Sequence, residues 1–191
     1  MNKFIITFSL VLSALYNYGQ DSEHITFKGV PIDGTISQYV NNMKLNGLNL
    51  IQTKDETAIL NGDFAGYKNC IIKVSTLKQK DLVHKITVIF PGKNTWSTLL
   101  ENYLDLKNML KEKYGETSDV VEKFDGHESN YDSSKILDVQ IDRCKYKSYW
   151  KTSKGEIQLS IDHDNSNCFI SLVYIDKINS EKIKANAKGD L

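Results

Sequence analysis

One short segment, residues 162–167, has the residue types and spacing to bind a hard cation; it reads Asp-His-Asp-Asn-Ser-Asn. Oxygen ligands at alternate positions suit calcium, because alternation can point three side chains into a tight loop. The EF-hand pattern then fails, since Asn167 stands where glycine is required and Val173 where a bidentate glutamate belongs. Asx and Ser residues also form hairpin turns, so we expect a turn here and no metal site.

A second candidate is the run 143–151, in which aromatic and basic residues alternate. Tyr146, Tyr149 and Trp150 could stack on a sugar or a single-stranded nucleic acid, because lysines flank them. Strand alternation sends Tyr149 and Trp150 to opposite faces, which prevents a shared platform. We therefore expect Trp150 in the core and the lysines in solvent.

The sequence contains no recognisable catalytic constellation. The four histidines lie far apart, and none stands in a nucleophile turn of the GxSxG type. A P-loop, GxGxxG and HExxH are all missing from the sequence. We predict neither a catalytic centre nor a cofactor from these patterns.

The composition is that of an ordinary globular protein. The chain has 191 residues, 24 Lys and Arg against 24 Asp and Glu, 40% apolar residues and 10% aromatic residues. Balanced charge argues against duplex binding, which needs a basic excess to replace condensed counterions. We expect one compact domain and no nucleic acid partner.

The N-terminus has the pattern of a secretory signal peptide. Lys3 precedes an apolar run from Phe4 to Leu15, and a more polar stretch follows it. The run is shorter than the roughly 20 residues that a membrane span needs. We predict that residues 1–19 are removed, that residues 20–191 form one α+β domain, and that the protein is exported to the periplasm or the extracellular space.

Downstream, the apolar pattern alternates between strand and helix periods. After a strand at 24–30 and a turn at 31–34, helical spacing predicts a helix that Thr35 or Asp33 caps and Gly47 ends. Strand-like runs follow at residues 48–53, 57–61, 67–76 and 82–90.

The second half of the chain repeats this order. A longer helix is predicted from Asn94 or Thr95 to Tyr114, and residues 116–135 form a polar excursion with a short strand at 120–124. Strands with clear alternation or continuous apolar character follow at residues 143–151, 156–162 and 168–175.

These patterns predict an α+β fold in which a curved antiparallel sheet of about seven or eight strands carries two main helices on one face. Residues 35–90 and 95–176 are interpreted as repeats, with the 116–135 excursion inserted in the second. The layout resembles the beta-lactamase-inhibitor-protein-like fold, in which two helix-plus-meander repeats lay their helices on one face of such a sheet.

Three local segments carry a further resemblance. The segments 27–34, 62–67 and 174–179 read FKGVPIDG, GDFAGY and YIDKIN. They resemble segments of a family of small exported bacterial proteins with no assigned activity. The resemblance spans most of the mature chain and carries over no functional residues.

Three cysteines in an exported protein allow at most one internal disulfide. Cys144 and Cys168 flank the same middle strand, so they lie about 10 Å apart at a strand spacing of roughly 4.8 Å. A disulfide needs Cα atoms within about 7 Å. The leading predicted pair is therefore Cys70–Cys144, and the alternative is three buried thiols that act as small apolar residues.

The favoured function is a non-catalytic binding or interaction module for another envelope or extracellular protein. The sheet face without helices would present an apolar patch rimmed by charge, as protein interfaces do. The residues predicted to bind the partner are Arg143, Lys145, Lys147, Tyr149, Phe169 and Val173. The apolar part of the patch is completed by Val83, Thr87, Ile89 and Ile175.

The alternative function is an envelope enzyme whose catalytic groups meet only in the fold. Its site would lie near the excursion and would use carboxylates such as Glu122, Asp125 and Glu128. A cleft in which two carboxyl groups have raised pKa values would favour this alternative.

Overall fold

The computed structural model describes residues 22–77, 80–126 and 129–189. The predicted signal peptide, residues 1–19, lies outside these ranges and stays a prediction. The helices of the described chain are α1 (Ile36–Leu45), α2 (Trp96–Tyr114), α3 (Asp132–Gln140) and α4 (Lys177–Gly189). None of these helices is both long and apolar enough to cross a bilayer.

The strands form a small two-stranded sheet and one large sheet. The small sheet pairs β1 (Thr26–Phe27) with β2 (Val30–Pro31). The strands of the large sheet are β3 (Asn49–Lys54), β4 (Thr57–Phe64), β5 (Tyr67–Leu77), β6 (Lys80–Ile89), β7 (Asp119–Phe124), β8 (Cys144–Lys151), β9 (Gly155–Asp164) and β10 (Asn167–Asp176).

The order in the large sheet is β3-β4-β5-β6-β10-β9-β8-β7, and all neighbours are antiparallel. Each half of the chain contributes a helix and four strands, with α3 inserted between β7 and β8 in the second half, and the halves meet where β6 pairs with β10. Consequently β3 and β7, the first strands of the two halves, form the two edges. The α+β class and the eight-stranded antiparallel sheet confirm the predicted fold class.

Local sequence explains the ends of α1. The Thr35 hydroxyl accepts a hydrogen bond from the Gln38 N–H, and the Gln38 side chain accepts one from the Thr35 N–H. This reciprocal capping box satisfies two backbone donors that the helix itself leaves unpaired. The chain leaves the helix through Gly47, whose φ of +83° is readily adopted only by glycine.

The helices α1, α2 and α3 pack on one face of the large sheet, which we call the helix face. A cross-strand row on this face runs Leu50, Leu60, Ile72, Val88, Leu172, Leu159, Ser148 and Val120. The Tyr103 hydroxyl of α2 lies 2.7 Å from the Ser148 Oγ, and the Ile136 carbonyl of α3 lies 4.0 Å from the Cys168 Sγ. The buried side chains of all three helices belong to one core.

The third helix was not predicted. The sequence interpretation assigned most of 116–135 to a polar excursion, yet α3 starts inside it and buries Ile136 and Val139. Its first residue, Asp132, accepts hydrogen bonds from the backbone N–H groups of Trp96 and Ser97. A carboxylate from another element thus caps α2, and the Thr95 side chain makes no capping bond.

The predicted Cys70–Cys144 disulfide is wrong. Cys70 lies on β5 and Cys144 on β8, and β6, β10 and β9 separate these strands. Four strand spacings correspond to about 19 Å, far beyond the roughly 7 Å limit for bridged Cα atoms. Cys144 and Cys168 lie on either side of β9, as expected.

Candidate functional site

The face of the large sheet opposite α1, α2 and α3, here called the open face, is built by the alternate residues of each strand, and α4 lies at one end of it. One cross-strand row on it runs Asn61, Ile71, Ile89, Ser171, Ser160, Lys147 and Val121. The next row runs Ile59, Lys73, Thr87, Val173, Gln158, Tyr149 and Asp119. Antiparallel pairing keeps each row on one side of the sheet, so the register alone defines this surface.

An apolar patch lies over the central strands of the open face. It consists of Ile71, Ile89, Phe169, Val173 and Ile175, all half-buried. Ile71 and Ile89 are direct cross-strand partners. Ile89 pairs with Ser171, which places Phe169 and Val173 at its diagonal positions, within reach of side-chain contact. Ile175 follows Val173 on the same face, so the five residues form one continuous surface.

The centre of the open face is lined by small polar side chains. Ser160 and Ser171 are cross-strand partners, and Ser160 is completely buried. The Ser160 hydroxyl donates to a carboxylate oxygen of Asp162 at 2.6 Å.

The β8 side of the open face is basic. Lys145, Lys147 and Lys151 alternate along β8, with Tyr149 between the last two. Lys145 forms an ion pair with Asp125. Its ammonium group, through this hydrogen bond, holds the pKa of the exposed Asp125 carboxyl below its usual value.

The structure brings five of the six predicted binding residues onto this surface. Lys145, Lys147 and Tyr149 lie on β8, and Phe169 and Val173 lie on β10. Arg143, the sixth, is exposed and directly precedes β8.

Val83 does not belong to the patch that the sequence predicted. It is completely buried. Its N–H donates to the Gly34 carbonyl, and its own carbonyl accepts a hydrogen bond from the Asn179 side chain. The alternation of β6 fails here because the β5–β6 register shifts after Ser75.

The carboxylates of the predicted enzyme site do not converge. Glu122 pairs with Tyr146 on the helix face, where Tyr103 and Lys107 donate to its carboxylate. Asp125 binds Lys145, as described above, and its lowered pKa is the opposite of what a general acid needs. Glu128 lies outside the described residues.

The candidate calcium segment is a hairpin turn. Asp164 pairs with Asn167 across a two-residue connection, and Asn165 has a φ of +51°. His163 contacts the Asn165 carbonyl through Nδ1 and the Asp142 carboxylate through Nε2. The turn interpretation is confirmed.

Sequence reasoning missed a buried polar cluster where β10 passes into α4. Asp176 is completely buried, and its carboxylate accepts hydrogen bonds from the backbone N–H groups of Ile25 and Asn179. His24 lies between two carboxylates, with Nδ1 3.1 Å from Asp176 Oδ1 and Nε2 3.6 Å from Asp33 Oδ2. Because the Asp176 oxygens hold backbone groups of two distant segments, the cluster fastens the N-terminal segment to the sheet.

A cavity of about 520 Å³ lies between α4 and the β8–β9 turn, at one end of the open face. Lys151 and Glu156 line it from the sheet, and Ser180, Glu181 and Lys184 line it from α4. Its lysines and glutamates are interspersed, so the charge of the lining selects neither anions nor cations.

Comparison of the chain with protein-family models, with curated proteins and with solved structures gives no match. The two resemblances noted from the sequence therefore stay predictions, and function is argued from the geometry.

Proposed function

We propose that this chain is an exported, non-catalytic module that binds another protein through the open face. The observation that supports the proposal is the continuous apolar patch on the central strands. Outward positions of an antiparallel sheet with one solvated face are normally polar, whereas here five neighbouring outward positions on β5, β6 and β10, grouped around Ser171, are Ile, Val or Phe. Contiguous apolar surface of this kind marks interaction sites in soluble proteins.

The surroundings of the patch indicate the chemistry of the partner. Tyr149 and the lysines of β8 lie beside the patch, on its β8 side. Tyrosine is enriched at interfaces because it combines a large apolar ring with a hydroxyl. Lys147 belongs to the same cross-strand row as Ile71 and Ile89, with the two short serines between them. A fitting partner presents apolar side chains to the patch and carboxylates to β8.

Photocrosslinking can test the proposal at single positions. A photoreactive phenylalanine at Val173 should capture a partner from envelope extract at one defined size. The same photoreactive phenylalanine at Leu137, which is 54% exposed on α3, should capture no partner. Capture at both positions, or at neither, would contradict binding through the open face.

A charge substitution supplies the quantitative test. Val173→Asp places an unpaired carboxylate in the centre of the interface and should weaken capture at least tenfold, as loss of a central interface contact does. The half-buried position lets the free protein fold, so its urea midpoint should stay close to that of the unmodified chain. If Val173→Asp and Phe169→Asp both unfold the protein, the patch is a second core and the proposal fails.

A further inference from the structure

The two edges of the large sheet differ in how they are protected. All six residues of β3 are exposed, and only the last of them, Lys54, is charged. Half of β7 is charged, because it contains Asp119, Glu122 and Lys123. Charged side chains on an edge strand oppose pairing with another strand, and β3 has one such side chain and a bulge at Ile51, against three charged side chains on β7.

We propose that β3 is a docking edge for an extended segment of a partner polypeptide, which would add a ninth strand to the sheet. The outer edge of β3 faces no strand of the described chain, so its backbone N–H and C=O groups point away from the sheet. Water can bind these groups one at a time, whereas an added extended backbone matches the whole row of alternating donors and acceptors. The backbone chemistry of the edge therefore specifies the occupant.

A groove beside β3 would receive side chains of the added strand. It has a volume of about 310 Å³ and lies between α1 and β3. Ile36, Val40 and the Lys44 stem line it from α1, and Leu50 and Thr53 line it from β3. Because successive side chains of a strand alternate between faces, every second residue of the segment would enter this groove. We therefore expect apolar residues at alternate positions of the bound segment.

Two further apolar side chains on α1 and β3 are exposed to solvent. Leu45, at the end of α1, is 87% exposed, and Ile51, the extra residue at the β3 bulge, is 53% exposed. Large apolar side chains at such positions are stabilised when a partner removes them from water.

At the opposite edge, side chains of α2 reach across the helix face to β7. Lys107 and Tyr103 of α2 both reach the Glu122 carboxylate. Docking through a strand is therefore expected at β3 and not at β7.

Selection from a displayed library of random 12-residue peptides, with the purified chain as the target, tests the proposal. Peptides with alternating apolar residues should be enriched and should bind saturably when synthesised. Binding should slow amide hydrogen exchange in residues 49–54. Methylation of alternate backbone nitrogens of the peptide should abolish binding, because it removes the inter-strand donors.

Matched variants locate the site. Leu50 and Val120 stand at the two ends of the same cross-strand row and are 40% and 38% exposed. Leu50→Lys should weaken peptide binding at least tenfold, whereas Val120→Lys should change it less than twofold. Peptides that bind both variants equally, or a selection that yields no saturable binder, would overturn the proposal.

A second copy of this chain is the competing occupant. If sedimentation shows that the unmodified chain is a dimer and that Leu50→Lys dissociates it, docking of a foreign segment is overturned. The peptide methylation result does not depend on how the variants fold, so it remains decisive if Leu50→Lys destabilises the protein.

Discussion

Asp176 allows a quantitative test of how the N-terminal segment is held. The carboxylate is completely buried and accepts the Asn179 N–H at 2.8 Å, the Ile25 N–H at 3.1 Å and a bond to His24 Nδ1 at 3.1 Å. Asp176→Ala removes all three interactions and leaves two buried backbone donors unpaired.

The expected loss follows from these contacts. Each unpaired buried donor lowers the free energy of unfolding by about 1–3 kcal/mol. Part of that loss is offset because the alanine variant no longer buries a carboxylate. We expect Asp176→Ala to lower the free energy of unfolding by about 3 kcal/mol. Asp176→Asn keeps one acceptor oxygen, so about half of that loss is expected. Stabilities of single domains are roughly 5–15 kcal/mol, and the alanine variant would thus lose a substantial share.

Urea unfolding followed by tryptophan fluorescence measures the effect. With a denaturant slope near 2 kcal/mol/M, a loss of about 3 kcal/mol lowers the midpoint by about 1.5 M. Glu116→Ala is the control, because the Glu116 carboxylate is 81% exposed and forms a surface ion pair with Lys111. It should lower the free energy of unfolding by less than about 1 kcal/mol. If Asp176→Ala lowers the free energy of unfolding no more than this control does, Asp176 is not the group that holds the N-terminal segment on the sheet.

Two further predictions concern buried polar groups. Tyr103→Phe removes the partner of the completely buried Ser148 hydroxyl and should lower the free energy of unfolding by about 1–2 kcal/mol. Addition of Ser148→Ala should recover part of this loss, and strict additivity in the double-mutant cycle would contradict the contact. Burial, aided by Lys85, lowers the pKa of His84 from its ordinary value of 6.5, so the unfolded chain binds the proton more readily. The stability that neutral His84 contributes is therefore present above pH 6.5 and is lost as the pH falls. His84→Gln should make the decline of the free energy of unfolding between about pH 7 and 5 less steep than in the unmodified chain. Parallel curves for the two proteins would contradict this prediction.

The elements that depend on neighbouring residues could be predicted from the sequence. The alternation of β8 was predicted correctly, with Ser148 and Trp150 buried and the lysines outward. The capping of α1 by Thr35 was also predicted, because its partner is only three residues away. The open-face positions of Phe169 and Val173 follow from the same two-residue period.

Contacts between distant segments could not be predicted in the same way. Asp132 caps α2 from 35 residues away, and His24 meets Asp176 across 152 residues. No local pattern in either segment specifies such a partner. The wrong Cys70–Cys144 pair has the same origin, because it depends on which strands of the two halves become neighbours.

The strand order also explains why the two edges differ. The two halves join through their last strands, so the first strand of each half forms an edge of the sheet. Each of these edge strands follows a helix after a short connection. At 1.5 Å per residue, the 19 residues of α2 extend about 28 Å, whereas the 10 residues of α1 extend only about 15 Å. The contacts of α1 are spread over β3, β4, β5 and β6, so the helix crosses these four strands and does not run along the flank of β3. The groove at β3 therefore lies where α1 passes over this edge of the sheet, while Lys107 of α2 reaches across to Glu122 at the other edge.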